Sequence, residues 1–580
     1  MTGELAAVLM SPGAVVIVTA LVGVVLGPTA RAGLYLAGLA LSAAILLGYE
    51  KGLTVSLTMI DAPFLNLTLT PLRVDGLSFI FALIFHIAAA LNVIYAWRIG
   101  DRVQDVSGLA YAGAAIGGAL AGDLMTLFIF WELTAIASAF LVFAPGTPQS
   151  YAAGMRYLVV QILSGLFLLG GLSMFAADGR GLAFEAMTLM RDGGGLDLAA
   201  LAIFLAFGVK AAFPFLHMWL QDSYPQASVT GSVVLSAFTT KLAVYALARG
   251  FPGEDPLIYI GAAMTVFPVF FALIENNLRK VLAYSLNNQV GFMVCAVGVG
   301  TELAINGAAA HAFVHIIYKA LLFMSMGAVL YRTGTVKATE LGGLYRTMPA
   351  TTVFCIIGAM SISAFPLFSG FVAKSLTMSA VGYEGMFFIW LVLLFASAGV
   401  LEHSGIKIPY FAFFGHDSGK RPKEAPPQML IAMGIAAALC IGVGVFPGAL
   451  YSILPYEVKY EPYTADHVIT QMQLLMFAIL AFALLVRFKL YPAEIPSTNL
   501  DVDWFYRVPG RAFLGWASGA SRATWNALWG IATARMHALL ERIYAVHGPE
   551  GQLARSWPIG FMALWTAILL GFVLVLSFLA

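Results

Sequence analysis

Apolar runs of about 20 residues recur along this chain, and that is the length an α-helix needs to cross the hydrocarbon core of a bilayer. Backbone polar groups find no water in lipid, so runs of this kind are held to helices. About sixteen fall near 5–27, 32–49, 77–97, 106–121, 124–144, 153–176, 198–217, 229–248, 257–274, 281–300, 304–331, 350–378, 385–408, 428–449, 469–486 and 557–579. Only 11% of the 580 residues are charged and 60% are hydrophobic, against roughly 25% charged in an ordinary soluble domain. The fold expected is an all-α polytopic membrane protein. A soluble enzyme, a disordered chain and a disulfide-built secreted module are excluded. The first run lacks a basic flank and an A-x-A site, so it is expected to remain as a span rather than be cleaved as a signal peptide.

Cys295, Cys355 and Cys440 stand alone inside apolar runs, with no C-x-x-C pair. Iron–sulfur clusters, structural zinc and c-type haem are therefore not expected. There is no phosphate loop and no dinucleotide-binding glycine motif, and the 58 glycines suit close helix–helix contacts instead. The expectation is no cofactor and no metal. With 31 Lys+Arg against 30 Asp+Glu, the charge balance points to no nucleic-acid partner.

The position of those cations is more informative than their number. Twelve, among them Arg98, Arg156, Arg279 and Arg332, fall in one set of alternate loops. Six, among them Arg73 and Arg249, fall in the other, and eight lie in 487–556. Cytoplasmic loops are the richer in Lys and Arg, which predicts a multi-pass protein of the cell (inner) membrane with its N-terminus outside and 490–556 cytoplasmic. That stretch carries Pro492, Pro496 and Pro509, then Arg and Trp scattered among Ala and Leu from Trp504 to Tyr544. It reads as an amphipathic helix at the membrane surface, with a partly helical linker as the alternative. Residues 557–580 read as a terminal transmembrane anchor.

Five lysines remain inside the runs: Lys210, Lys241, Lys319, Lys374 and Lys407. Charge at the bilayer centre costs a few kcal/mol on insertion scales, so it marks a pathway unless the side chain snorkels or pairs helices. Arginine does not release its proton in practice, whereas a buried lysine can. A row of lysines can therefore pass protons. Lys407, beside Pro409 at a run end, is equally open to snorkelling. Glu132, in Phe128-Ile-Phe-Trp-Glu-Leu, is expected to partner Lys210, because an unpaired buried carboxylate would protonate. His311, His315 and Lys319 are spaced i, i+4, i+8 on one helix face, and histidine titrates near neutrality. His217, Asp222, Glu402 and His403 are further pathway or outlet candidates, while His86 reads as packing.

Two proline interruptions look alike. Ala211-Ala-Phe-Pro-Phe and Ser363-Ala-Phe-Pro-Leu put Pro214 and Pro366 152 positions apart, each in a run with a candidate lysine. Paired interruptions in two parts of a membrane chain point to a repeat transporter with its site at mid-membrane.

Gly208-Val-Lys-Ala-Ala-Phe-Pro-Phe-Leu-His-Met-Trp-Leu-Gln-Asp-Ser-Tyr, continuing to Thr240-Lys-Leu-Ala-Val-Tyr-Ala-Leu-Ala-Arg249, resembles the signature of the proton-pumping antiporter-like subunits. That family includes the large membrane subunits of respiratory NADH:quinone oxidoreductase and the A-type and D-type subunits of Mrp Na+/H+ antiporters. Phe130-Trp-Glu-Leu, Asn277-Leu-Arg-Lys-Val-Leu-Ala-Tyr-Ser, Asn306 to Leu322 and Ser369-Gly-Phe-Val-Ala-Lys extend the likeness over about 70–415. Gly405-Ile-Lys-Ile-Pro-Tyr-Phe and Tyr284-Ser-Leu-Asn-Asn-Gln-Val-Gly are most similar to the D-type Mrp antiporter subunit. Gln221 and Tyr224 depart from the family pattern, where proline and histidine are common, and the 490–580 extension exceeds an ordinary D-type chain.

The resemblance implies a core of about fourteen helices with two inverted five-helix repeats. The organisation expected is N-terminal helices over 1–105, repeats over 106–250 and 251–415, core helices over 416–489, then the 490–556 segment and the anchor. The resemblance makes Glu132 and Lys210 a switchable ion pair, Lys241 the central relay, His311, His315 and Lys319 the continuing axis, and Lys374 the terminal site. It implies a proton-translocating subunit of a multisubunit monovalent cation (Na+)/H+ antiporter, with other hydrophobic subunits, H+, Na+ and the bilayer as partners. It is expected to act as an ion transporter subunit rather than an enzyme. A redox-driven complex I-like assembly and a stand-alone secondary carrier are the alternatives.

Overall fold

The computed structural model describes residues 8–62, 65–97, 99, 101–191, 193–491, 495, 499–552, 555 and 558–579. Arg98, Pro492 and Pro496 lie outside them, as do residues 5–7 of the first run and residue 557 of the last. The chain forms two units, 1–499 and 500–580.

The first unit is helical except for one hairpin. Its helices are α1 (Pro12–Val22), α2 (Pro28–Gly48), α3 (Gly76–Ala96), α4 (Arg102–Ala119), α5 (Leu124–Phe143), α6 (Pro148–Ala177), α7 (Leu198–Ala211) and α8 (Met218–Ser223). They continue as α9 (Gly231–Ala237), α10 (Thr239–Gly250), α11 (Asp255–Ile274), α12 (Leu278–Val299), α13 (Glu302–Thr333), α14 (Pro349–Ile362), α15 (Ser369–Tyr383), α16 (Phe387–Val400), α17 (Pro427–Val445) and α18 (Ala465–Arg487). Short polar side chains start many of them. Asp123, Asp197, Asn277 and Thr301 each accept a backbone N–H of the first turn, satisfying donors that the helix itself leaves free.

Across the two units, twelve of the described helices are long and apolar enough to cross a membrane. The segments 231–250 and 278–299 are buried throughout and 302–333 nearly so, making the central pillar of the first unit. α11 and α12 lie backbone to backbone. A Cβ at Gly261 would strike the backbone of Cys295, and one at Gly291 that of Thr265, so glycine here permits the close approach.

The runs expected from the sequence need three corrections. Residues 198–217 and 350–378 are not single spans: α7 and α8, and α14 and α15, are separated by irregular turns at the prolines. The run 229–248 is interrupted at Phe238 between α9 and α10. Residues 54–73, assigned to no run, form an antiparallel hairpin of β1 (Thr54–Ala62) and β2 (Leu65–Arg73), whose alternating Leu and Thr fit a pleated ribbon.

Loops that the basic-residue count assigns to one side do meet in space. Arg73 and Arg249 both approach Asp75. On the other set, Arg156 pairs with Asp222, and Arg279 reaches the carbonyls of Tyr224, Pro225, Ala227 and Ser228.

The second unit contains α19 (Arg511–His547) and α20 (Ile559–Leu579), neither with a buried side chain. In α19, Trp525 and Trp529 stack at 6.3 Å, but Trp516, nine residues before Trp525, projects from the opposite side at 3.6 residues per turn. From Trp525 onward, Leu528, Trp529, Met536, Leu539, Leu540 and Ile543 share one side of the helix at 3.6 residues per turn.

Candidate functional site

The two proline breaks share one backbone pattern. Ala212 and Phe215 adopt φ of 64° and 68°, and Ala364 and Leu367, 152 positions later, adopt 59° and 71°. Phe213 N bonds Gly208 O at 3.0 Å, and Phe365 N bonds Met360 O at 3.1 Å. Left-handed backbone costs a non-glycine residue roughly 1–2 kcal/mol, and strain of this kind persists where the surroundings hold it in place. The likeness seen in five residues of sequence is thus a shared backbone device.

Three helix C-termini, one of them at the second proline break, present carbonyls that buried lysines occupy. Lys374 Nζ donates to Ile362 O, the last carbonyl of α14, at 2.9 Å. Lys241 Nζ donates to Ser236 O, near the end of α9, at 2.6 Å and to Thr240 Oγ1 at 3.2 Å. Lys407 Nζ donates to Ala272 O and Leu273 O, at the end of α11, at 3.3 and 2.6 Å. Carbonyl dipoles at a helix C-terminus favour a cation, so each of the three ammonium groups is held by backbone. Lys407 is buried and does not snorkel. A π-helical turn, Leu401–Ile406, directs it inward.

Lys210, in the last turn of α7, donates to Trp131 O at 2.5 Å and Thr134 Oγ1 at 3.1 Å, with its Nζ 4.4 Å from the Trp131 ring centroid. Glu132 is its electrostatic neighbour. The pairing expected between them is not closed: among the described residues no contact within 4.0 Å joins the two charges, and Glu132 Oε1 has no partner. The carboxylate lies instead against Gly165 of α6, where a Cβ would collide with it. The pair stands open.

On α13, His311 Nε2 lies 3.1 Å from Gln289 Oε1 and 3.0 Å from Tyr318 OH. His315 and Lys319 are fully buried, and neither the imidazole nitrogens nor the ammonium has a hydrogen-bond partner among the described residues. They are electrostatic neighbours of Lys241 and of Lys374, and Lys319 of His403. His403 Nδ1 contacts Ser404 Oγ at 2.8 Å, and Lys407 is the electrostatic neighbour of Glu402. The structure thus brings Lys241, His311, His315, Lys319, Lys374, His403 and Lys407 into one buried row.

Asp222 and His217 are engaged elsewhere. Arg156 grips Asp222 through Nε at 2.6 Å and Nη2 at 3.1 Å, and the His217 ring packs 4.6 Å from Phe267. His86 is satisfied by Ser42 Oγ and Ala82 O. Among the described residues no three His, Cys, Asp or Glu side chains converge as metal ligands. Outside the spans, Asp197 caps α7, and the Arg180 guanidinium bonded to it holds its carboxyl below the usual carboxylate range.

Residues 121–400 match the family model described as NADH:quinone oxidoreductase/Mrp antiporter, transmembrane. The chain is also 33% identical over 370 residues to the D-type subunit of a Na(+)/H(+) antiporter of Alkalihalophilus pseudofirmus, covering 60% of this chain and 74% of that protein. The chain belongs to the NADH:quinone oxidoreductase/Mrp antiporter family. Its fold is that of a chain in the Mrp complex of Dietzia sp. DQ12-45-1b, with a TM-score of 0.75 at 23% identity over 93% of this chain and 63% of that one. It is likewise similar to a chain of an archaeal membrane-bound sulfane sulfur reductase, a respiratory membrane complex, with a TM-score of 0.67 at 21% identity over 99% of this chain and all of that one.

The departures from the family motif have clear surroundings. Tyr224 OH donates to Leu235 O at 2.7 Å, tying the segment after the first break to α9. Gln221 is buried with both amide atoms unpartnered among the described residues. Sequence reasoning missed the carbonyl caps and the fourfold grip of Arg279. Arg279 had a local signal in the Asn277-Leu-Arg-Lys motif; the carbonyls had none.

Proposed function

We propose that this chain is the proton-translocating membrane subunit of a multisubunit monovalent cation (Na+)/H+ antiporter. The observation that carries this reading is the row of buried amines and imidazoles from Lys241 to Lys407, in which the Lys241, Lys374 and Lys407 ammonium groups are held by backbone carbonyls. An ammonium held by a helix terminus keeps a lower charge count than a salt bridge, so such a site can gain or lose one proton without stranding a buried anion. Protons enter near Lys241, pass along His311, His315 and Lys319, and leave beyond Lys374. Closure of Glu132 on Lys210 holds a proton there. Opening releases it and repels its neighbour along the row.

The name of the Alkalihalophilus relative supports this reading, as do the two like breaks, taken as halves of two inverted five-helix repeats over 106–250 and 251–415. The basic-residue asymmetry supports an outside N-terminus and a cytoplasmic 490–556 segment in the cell (inner) membrane. A second reading, the same module driven by a redox partner, draws on the full-length likeness to the respiratory complex chain, which spans the 490–580 extension. Co-purifying iron–sulfur subunits would favour it; small hydrophobic subunits favour the antiporter. In membrane vesicles carrying the assembled complex, Glu132→Ala and Lys374→Ala should each abolish ΔpH-driven exchange. Full exchange in both would refute the assignment.

A further inference from the structure

The chain of electrostatic neighbours is incomplete between Lys210 and Lys241. Glu132 is the charged neighbour of Lys210, whereas Lys241 acts on His311, His315 and Lys319. Hydroxyl groups line the interval. Ser138 Oγ of α5 lies 2.7 Å from Tyr157 OH of α6. Tyr157 also lies beside Thr239, whose hydroxyl bonds Tyr111 OH at the hinge between α9 and α10. The same hinge holds Lys241 through Ser236 O and Thr240 Oγ1.

The row ends at Thr239, next in sequence to the Thr240 that holds Lys241, and at the Lys210 end one step is missing. Thr134 Oγ1 receives the Lys210 ammonium, but Ser138 Oγ donates to the Thr134 carbonyl and not to its hydroxyl. Gln161 stands at that step. α5 and α6 are antiparallel and are pinned by Trp131 Nε1 on Ser164 Oγ at 2.9 Å and by Ser138 on Tyr157. Between those two bonds the matching level pairs Thr134 with Gln161. Tyr157, Gln161 and Ser164 share one face of α6 by their i, i+4, i+7 spacing. Gln161 is fully buried, and neither its amide nitrogen nor its oxygen has a partner among the described residues. A buried polar side chain in that condition is where an internal water is expected.

We propose that Gln161 is a positioning residue for proton transfer from Lys210 toward the hinge that carries Lys241: its amide holds a water molecule between Thr134 and Ser138, joining Lys210 to the Ser138–Tyr157–Thr239–Tyr111 hydroxyls. In each step one oxygen accepts a proton on a lone pair and releases its own to the next oxygen. One H+ moves along the row, and no bond between heavy atoms changes. The inference rests on the proton-translocating reading above and adds a route to it.

The test uses vesicles carrying the whole assembled complex, with ΔpH-driven cation exchange as the readout and Glu132→Ala as the reference for the parent reading. Gln161→Leu and Tyr157→Phe should each slow exchange at least tenfold, the double variant no more than the slower single. Gln161→Glu, whose carboxylic acid form keeps one donor and one acceptor, should restore most of the Gln161→Leu loss. Wild-type exchange in Tyr157→Phe with Glu132→Ala inactive overturns the route while leaving the parent reading intact. A Gln161→Leu loss that Gln161→Glu does not rescue, with Tyr157→Phe at the wild-type rate, also overturns it, as a packing defect. Exchange unaffected by Glu132→Ala refutes the parent reading instead.

Discussion

Lys374 Nζ sits 2.9 Å from the Ile362 carbonyl, so the charge of one half of a broken helix is held by the exposed end of the other. The contact gives Lys374 two separable roles, capping α14 and carrying a proton. Arginine can cap but does not release its proton. Lys374→Arg should therefore assemble normally and lose exchange at least tenfold, measured by ΔpH in vesicles. Wild-type exchange in Lys374→Arg would reduce the residue to a cap.

Ala364 and Ala212 occupy left-handed backbone with φ of 59° and 64°. Glycine there removes roughly 1–2 kcal/mol of strain and loses about 0.8 kcal/mol of buried methyl. Ala364→Gly should be no less stable than wild type, while Ala364→Val, branched at Cβ, should cost about 1–3 kcal/mol. Apparent Tm of the purified protein in detergent, at one scan rate, checks both.

A Cβ on Gly165 would fall on the Glu132 carboxylate. That carboxylate is the far end of a flexible side chain, so Gly165→Ala should displace it rather than unfold the protein. Exchange should fall roughly tenfold, about 1.4 kcal/mol in barrier, with the amount of assembled complex unchanged.

Asp197 caps α7 and is bonded by Arg180, which depresses its carboxyl. A depressed folded-state value means a contribution present above the unfolded value, near 3.9, and lost as the pH falls through the folded one. Asp197→Ala should cost about 1 kcal/mol at pH 7. The difference from wild type should narrow on acidification below about pH 4, as seen in Tm against pH.

What could be read ahead of the structure follows from which forces leave local patterns. Insertion cost exposes Lys210, Lys241, Lys319 and Lys374 to inspection, since lysine within an apolar run is conspicuous. The 152-position likeness of Pro214 and Pro366 is visible because proline dictates backbone locally. The Ser236, Ile362 and Leu273 carbonyls that hold the ammonium groups carry no residue signature, because every residue has one. Gln161 and Thr134 are brought to one level only by the α5–α6 register, which no single run encodes. The 54–73 hairpin did leave a period-two pattern in its Leu and Thr residues, overshadowed by the 20-residue runs on either side. The expected Glu132–Lys210 contact was chemically sound, but the open pair shows that the Trp131 carbonyl and Thr134 hydroxyl compete for the ammonium.

The central claim is that protons cross this protein along the buried row, and Lys241 is the point through which every route passes. The direct measurement is cation-dependent proton flux in liposomes reconstituted with the purified native complex, wild type against Lys241→Ala. The account predicts flux in the wild type and none above empty liposomes in the variant, at equal complex content. Equal flux in the two would contradict it.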